Sequence, residues 1–147
     1  MRICGEDGRP KHVFHPDEGM IIELDLEAYS QKKDFVFGIG IFNSQGICCY
    51  GTNTFLEDFQ PQSLEGRQKV VCRLNRVNLI NGTYYLDIAV HKRDGYPYDY
   101  HRNLYSSMVS SRFKDDGMFR PDHTWEFSDG VNMKTPVDKA PESRSGR

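Results

Sequence analysis

A period of two runs through most of this sequence, and it restricts the fold more than any other feature. Met20, Ile22, Leu24 and Leu26 alternate with Ile21, Glu23, Asp25 and Glu27. Successive side chains of a strand point to opposite faces, so this is a strand with one buried face and one acidic face. Phe35, Phe37, Ile39 and Ile41 alternate with Val36, Gly38, Gly40 and Phe42. Val70, Cys72 and Leu74 alternate with Lys69, Val71 and Arg73, and Tyr84, Leu86, Ile88 and Val90 with Tyr85, Asp87, Ala89 and His91. Further short strands are predicted near residues 2–4, 11–14, 104–109 and 119–127. Turn signals separate the runs: "EDGRP", "HPDEG", "NSQG", "NGT" and "RDGYP". No stretch makes a convincing amphipathic helix. Many short strands at this spacing predict an all-β chain, an antiparallel sandwich or barrel.

Within that class, "NLINGTYYLDIAV" is informative. A Gly-x-Tyr entering an alternating strand resembles the corner tyrosine of immunoglobulin-like sandwiches. An inward Tyr at a strand start explains it equally well. The 147 residues suit one domain with a proper core. Residues 128–147, "SDGVNMKTPVDKAPESRSGR", carry two Pro and almost no large apolar side chain. They cannot bury enough surface to hold themselves in place. The predicted organisation is a sandwich over 1–127 and a disordered tail over 128–147.

Charge and cysteine usage exclude several classes. The formal net charge is -2 and no basic stripe is present to neutralise phosphates, so nucleic acid is not an expected partner. No apolar run approaches membrane-span length. The start, "MRICGEDGRPK", goes straight into polar turn residues and reads as no signal peptide. Cys4, Cys48, Cys49 and Cys72 form no C-x-x-C, and adjacent Cys48 and Cys49 point to opposite faces of a strand. Four reduced thiols are expected, which favours a cytoplasmic setting.

The segment "VFGIGIFNSQGICCYGTNT" departs from core logic by placing glycine at alternate positions. Its hairpin register decides which side chains share a face. A loop of two or four residues would put Tyr50 and Thr52 beside Ile39 and Ile41. A three-residue loop, Ser44-Gln45-Gly46 with Gly46 left-handed, would put Ile47 and Cys49 there instead. The second pairs apolar with apolar, and it joins Tyr50 and Thr52 to Gly38 and Gly40. The strand 84–90 adds Tyr85, Asp87, Ala89, His91 and Arg93 on its non-core face. The expected result is a groove with a floor of Gly38, Gly40 and Ala89. Its walls would be Tyr50, Tyr85 and His91, and its hydrogen-bonding edges Asp87, Arg93 and Thr52. Missing side chains let a ligand approach the sheet, and tyrosines offer a flat apolar face with a polar tip. A hydroxyl-rich sugar needs that mixture. Glycines that merely relieve crowding or mark a bulge are the alternative. The span 91–101, "HKRDGYPYDYH", is expected to be a loop that brings Tyr98 to the same site.

Catalysis finds little support. No G-x-S-x-G and no H-E-x-x-H occurs, and no spacing matches a zinc or calcium loop. No catalytic residue, metal or cofactor is expected. Asp115-Asp116 sits in a turn-like "KDDG", and His12, His15 and His123 are scattered.

Taken in order, "VFGIGIFNSQGICCYGTNT", "INGTYYLDIAV", Tyr98-Asp99-Tyr100-His101 and "GMFRPDHTWEF" resemble the C-terminal domain of Wzt, from about Arg2 to Phe127. Wzt is the ATPase subunit of ABC exporters that move O-antigen polysaccharide across the bacterial inner membrane. The resemblance implies an immunoglobulin-like antiparallel β-sandwich that binds the exported O-antigen, in some members at a modified non-reducing end. It implies three associations: an ATPase domain of the same parent chain, a transmembrane exporter subunit, and a homodimer that exchanges its last strand, here 119–127. It implies a cytoplasmic location at the inner face of the inner membrane. No G-x-x-x-x-G-K-[ST] is present, so the chain reads as an isolated binding domain without the ATPase half. "ICCY" also departs from the family, with two Cys where β-branched or polar residues are expected. A dimerisation or docking domain that touches no sugar is the alternative function. An exposed apolar patch in place of the glycine floor would favour it.

Overall fold

The computed structural model describes residues 1–134. The remainder of the expected tail, 135–147, lies outside the described residues. Eight strands form: β1 (Arg2–Cys4), β2 (Val13–Phe14), β3 (Met20–Lys32), β4 (Val36–Asn43), β5 (Cys48–Asn53), β6 (Leu64–Leu74), β7 (Gly82–His91) and β8 (Pro97–Val109). Among the described residues there is no helix. One sheet has the order β1-β3-β6 and the other β2-β8-β7-β4-β5. All pairings are antiparallel except the two-residue contact of β2 with β8, which is parallel. The inner faces stack into a sandwich. Ile3, Ile22 and Leu24 of the first sheet meet Ile41, Tyr84, Leu86 and Val109 of the second, and Phe14 is fully buried between them. These are the apolar positions of the alternating runs.

Tyr84 is buried at the start of β7, and its hydroxyl donates to the Ile80 carbonyl at 2.8 Å. It is at once the inward residue of a strand start and a corner tyrosine. Burial pushes its phenol pKa up. Tyr84→Phe keeps the ring and loses one hydrogen bond, leaving the Ile80 carbonyl without that donor. The expected cost is about 1 kcal/mol, read as a lower urea midpoint with an unchanged slope. An unchanged midpoint would mean the bond contributes nothing.

The outer face of the three-stranded sheet is a lattice of ion pairs. Glu23 is held by Arg2 at 2.5 Å and by Lys69 at 3.7 Å, and Arg67 meets Glu27 at 3.4 Å. The hydrogen bond and charge of Arg2 hold the Glu23 carboxyl below the usual range. This face is charged and solvated, as the acidic alternation of β3 predicts.

Two elements differ from the sequence reading. β8 begins at Pro97, so the expected loop 91–101 shrinks to a tight turn. In that turn the Gly95 N–H bonds Lys92 O at 2.9 Å, the Lys92 N–H bonds Tyr96 O at 2.8 Å, and Gly95 has φ 92°. Residues 119–127 form no strand. Phe119 bridges Leu79, and the Arg120 N–H donates to Asn78 O at 2.7 Å. Pro121 then has no N–H with which to continue a ladder. Trp125 and Phe127 are exposed, with rings stacked at 6.5 Å and 6°.

Candidate functional site

The outer face of the five-stranded sheet is unlike its counterpart. Register sets its side chains in rows across β5, β4, β7 and β8. One row is Asn53, Gly38, Ala89 and Tyr100, and the next is Gly51, Gly40 and Asp87. Beyond these lie Cys48, Phe42, Tyr85 and Ser106 on one side, and Val36, His91 and Pro97 on the other. The two middle rows contain three glycines and one alanine, so a shallow cleft of ≈ 270 Å³ opens over them. Leu56, Phe42 and Tyr100 stand around it.

The two glycines of the opening motif have different surroundings. A Cβ on Gly38 would meet Asn53 Cβ at 3.6 Å, Thr52 O at 3.7 Å and Ala89 Cβ at 4.0 Å, all ordinary contacts. A Cβ on Gly40 would meet Phe42 Cε2 at 2.9 Å, because the Phe42 ring lies across it. Gly38 is therefore open floor, and Gly40 is floor roofed by an aromatic ring.

Asp87 is buried on this face at 7% exposure. The ladder skips between Leu86–Tyr105 and Ile88–His101, so Asp87 faces a bulge at residues 102–104. There Asn103 takes a left-handed φ of 50°. Asp87 Oδ1 accepts the Asn103 N–H at 2.7 Å, and Oδ2 accepts the Tyr100 hydroxyl at 3.2 Å. A buried carboxylate needs such donors. Asp87 thus anchors the bulge and the Tyr100 ring.

The hairpin between β4 and β5 carries two irregularities. The Asn43 N–H donates to Ile47 O at 2.9 Å, and the Asn43 side-chain oxygen accepts the N–H groups of Gln45 at 3.0 Å and Ile47 at 2.9 Å. With Gly46 at φ 76°, this is the expected three-residue loop. Phe42 then pairs with Cys48, whereas Ile41 pairs with Tyr50, leaving Cys49 as an extra residue. This second bulge reverses the faces of everything beyond it. Cys49 packs against the core, and burial raises its thiol pKa.

The expected site residues therefore separate. Gly38, Gly40, Thr52 and Asp87 line the cleft together with Ala89. Tyr85 lies one row away, beside Phe42, and His91 one row away on the other side. The His91 Nδ1–H donates to Lys92 O at 2.6 Å. The Tyr98 hydroxyl donates to Asp34 O at 2.9 Å, and the Arg93 guanidinium donates to Gln60 Oε1 at 3.1 Å. Tyr50 does not join the floor, and Thr52 lines the cleft through its main chain and not its side chain. Their partners are Ile41 and Ile39, so the Cys49 bulge turns both side chains to the inner face. Tyr50 lines a separate cavity with Leu79 and Phe119.

The run Thr52-Asn53-Thr54 has a structural task. Thr54 Oγ1 accepts the Phe37 N–H at 3.1 Å, and Asn53 Oδ1 accepts the Leu56 N–H at 2.8 Å, which places Leu56 at the cleft rim. Sequence reasoning missed Phe42, Gly51, Asn53, Leu56 and Tyr100. Phe42 followed from the alternation of β4 alone, since it shares a face with Gly38 and Gly40. The others depend on bulges and on a turn that carry no compositional signal.

The arrangement offers apolar surface from Leu56, Phe42 and the Tyr100 ring beside main-chain and amide polar groups. Such a surface suits a ring with C–H faces and many hydroxyls.

A family model described as the Wzt C-terminal domain matches residues 1–121. The chain is 21% identical over 137 residues to the O-antigen export system ATP-binding protein RfbB of Myxococcus xanthus. That match takes in 93% of this chain and 30% of the relative, so the chain spans less than a third of the relative's length. The crystal structure of the C-terminal domain of wzt superposes with a TM-score of 0.71 at 19% identity, covering 86% of this chain and 80% of that one. At that identity the likeness is one of fold.

Proposed function

The chain belongs to the Wzt C-terminal domain family, and on that premise we propose that the cleft over Gly38 and Ala89 binds O-antigen polysaccharide for export. One observation carries the reading: a patch of sheet between Leu56 and Tyr100 where glycine and alanine replace larger side chains, open at Gly38 and covered by Phe42 at Gly40. A sugar ring laid on Gly38 would contact main chain below and apolar side chains at its edges. Binding alters no bond, because Asp87, the carboxylate of the floor, is committed to Asn103 and Tyr100. The non-reducing end of the chain is the segment recognised. The domain works at the cytoplasmic face of the inner membrane, tethered to an ATPase domain and acting with a transmembrane exporter subunit.

The test is to titrate the 147-residue chain with the surface polysaccharide of the organism that encodes it, by calorimetry, and then to size the polymer. Saturable binding is expected, with a gain of ~4–8 kcal/mol, equivalent to millimolar to micromolar dissociation constants. The polymer should keep its length and substituents. Shortened chains or released groups would overturn the binding-only reading.

The exposed Phe119, Trp125 and Phe127 favour a second role, assembly. We place 119–127 on the edge of a second copy, since β5 and β6 each end a sheet with unpaired backbone groups. The intact chain is expected to be a homodimer, and a truncation after Asp116 to be monomeric or insoluble. Light scattering that finds the intact chain monomeric at micromolar concentration would refute this.

A further inference from the structure

Asn53 is held by one branch of its amide. Its Oδ1 accepts the Leu56 N–H at 2.8 Å, and that bond decides which branch is oxygen. The other branch, Nδ2, carries N–H donors and meets no acceptor among the described residues. Asn53 lines the cleft, and no other lining side chain has an N–H to offer.

The carboxylate of the cleft is already occupied. Asp87 is buried, and its oxygens accept the Asn103 N–H at 2.7 Å and the Tyr100 hydroxyl at 3.2 Å. No Lys, Arg or His lines the cleft, so a charged substituent would find no counter-charge there. Asn53 and Ala89 flank Gly38 in one row of the sheet. Neighbouring strands lie about 4.8 Å apart, so the two stand about 10 Å from each other across a residue without a side chain. The gap has N–H donors on one side and a methyl on the other, with Leu56 at its rim.

A hydroxyl could accept from Asn53, but it brings a proton of its own to a place whose carboxylate is taken. The carbonyl of an acyl group accepts and does not donate, and it is joined to an apolar methyl. We propose that the sugar seated on Gly38 carries an acyl group, linked as an ester or an amide. Its carbonyl accepts from Asn53 Nδ2, and its methyl lies on Gly38 and Ala89 beside Leu56. This rests on the cleft being the saccharide site. Asn53 then has two tasks: Oδ1 holds Leu56 at the rim, and Nδ2 reads the ligand.

The experiment uses the 147-residue chain and the polysaccharide of the encoding organism. The polymer is taken in turn through mild alkali, which removes ester-linked acyl groups, hydrazinolysis, which removes amide-linked ones, and re-acetylation of the amines with acetic anhydride. Affinity by calorimetry is expected to fall about tenfold at one of the first two steps, through one lost hydrogen bond and its methyl contact, and the step identifies the linkage. A fall at hydrazinolysis should be reversed by re-acetylation, which separates a lost acyl group from a gained amine charge. Asn53→Asp keeps an oxygen for the Leu56 N–H and removes the donors. It should unfold at the wild-type urea midpoint, bind the native polymer about tenfold more weakly, and be indifferent to deacylation. Wild-type affinity in Asn53→Asp would mean that Asn53 serves the turn alone and would overturn the proposal. Equal affinity of the wild type at every step, or equally tight binding of a polymer that bears no acyl group, overturns the acyl assignment and leaves the cleft standing. The deacylation series needs only the wild type, so it decides even if Asn53→Asp does not fold. No binding of the native polymer overturns the cleft reading, and this one with it.

Discussion

Gly38→Trp is expected to abolish polysaccharide binding and leave the sandwich folded. A Cβ at this position meets only ordinary contacts, the nearest at 3.6 Å, so the backbone accepts a side chain. The indole then occupies much of a cleft of ≈ 270 Å³ floored by Gly38, Gly51 and Ala89. Affinity should fall by about 100-fold or more, close to 3 kcal/mol. Gly38→Ala should lose much less, because one methyl leaves most of the cleft open. Gly40 is the poorer probe: a Cβ there displaces the Phe42 ring, so lost binding would mix blockage with repacking. Calorimetry on a folded Gly38→Trp variant decides the matter, and an unchanged dissociation constant would move the site elsewhere.

Asp87→Ala should give the largest loss of stability of any polar substitution on this face, about 2–4 kcal/mol. The change removes the acceptor of the Asn103 N–H and of the Tyr100 hydroxyl, both in a partly buried setting. Asn103 sits at φ 50°, a left-handed conformation that asparagine tolerates better than most residues. Asp87→Asn retains an acceptor for Asn103 and should cost less than half as much. Denaturant unfolding of the two variants is the measurement. Equal and small losses would show that the bulge is held by its neighbours and not by the carboxylate.

Much of the fold was legible because alternation is a direct record of burial. Ile22, Leu24, Leu86 and Tyr84 are core for the reason the pattern implies: a strand gives every second side chain to the same face. The inward Tyr84 was legible from its place at a strand start, and its corner bond was one of two readings the sequence left equal. The three-residue loop at Ser44-Gln45-Gly46 was legible from glycine where φ must be positive.

The site was legible only in part. Gly38, Gly40, Asp87 and Ala89 lie on regular ladder and came out on one face. Tyr50 and Thr52 did not, because a single extra residue at Cys49 inverts every position beyond it. A bulge is stabilised by its three-dimensional neighbours, here the core against which Cys49 packs, and leaves no mark in composition. The absence of a strand at 119–127 has a local cause in Pro121, visible in the sequence. The aromatic residues there carried the strand expectation over it. The dimer expected from the family likeness now rests on that unpaired segment and on the open edges of β5 and β6.

Phe42 holds a consequence for what the face can accommodate. Its ring covers Gly40, and Gly40 stands directly opposite Gly51. A turn of Phe42 about its first side-chain torsion would uncover a bare pair of residues and double the floor from one row to two. Phe42 is half-buried, and a rotation of one ring needs no rearrangement of a strand. The length of the recess is then set by the equilibrium of one ring, and a longer or more heavily substituted residue of a polymer could be seated without any movement of the backbone.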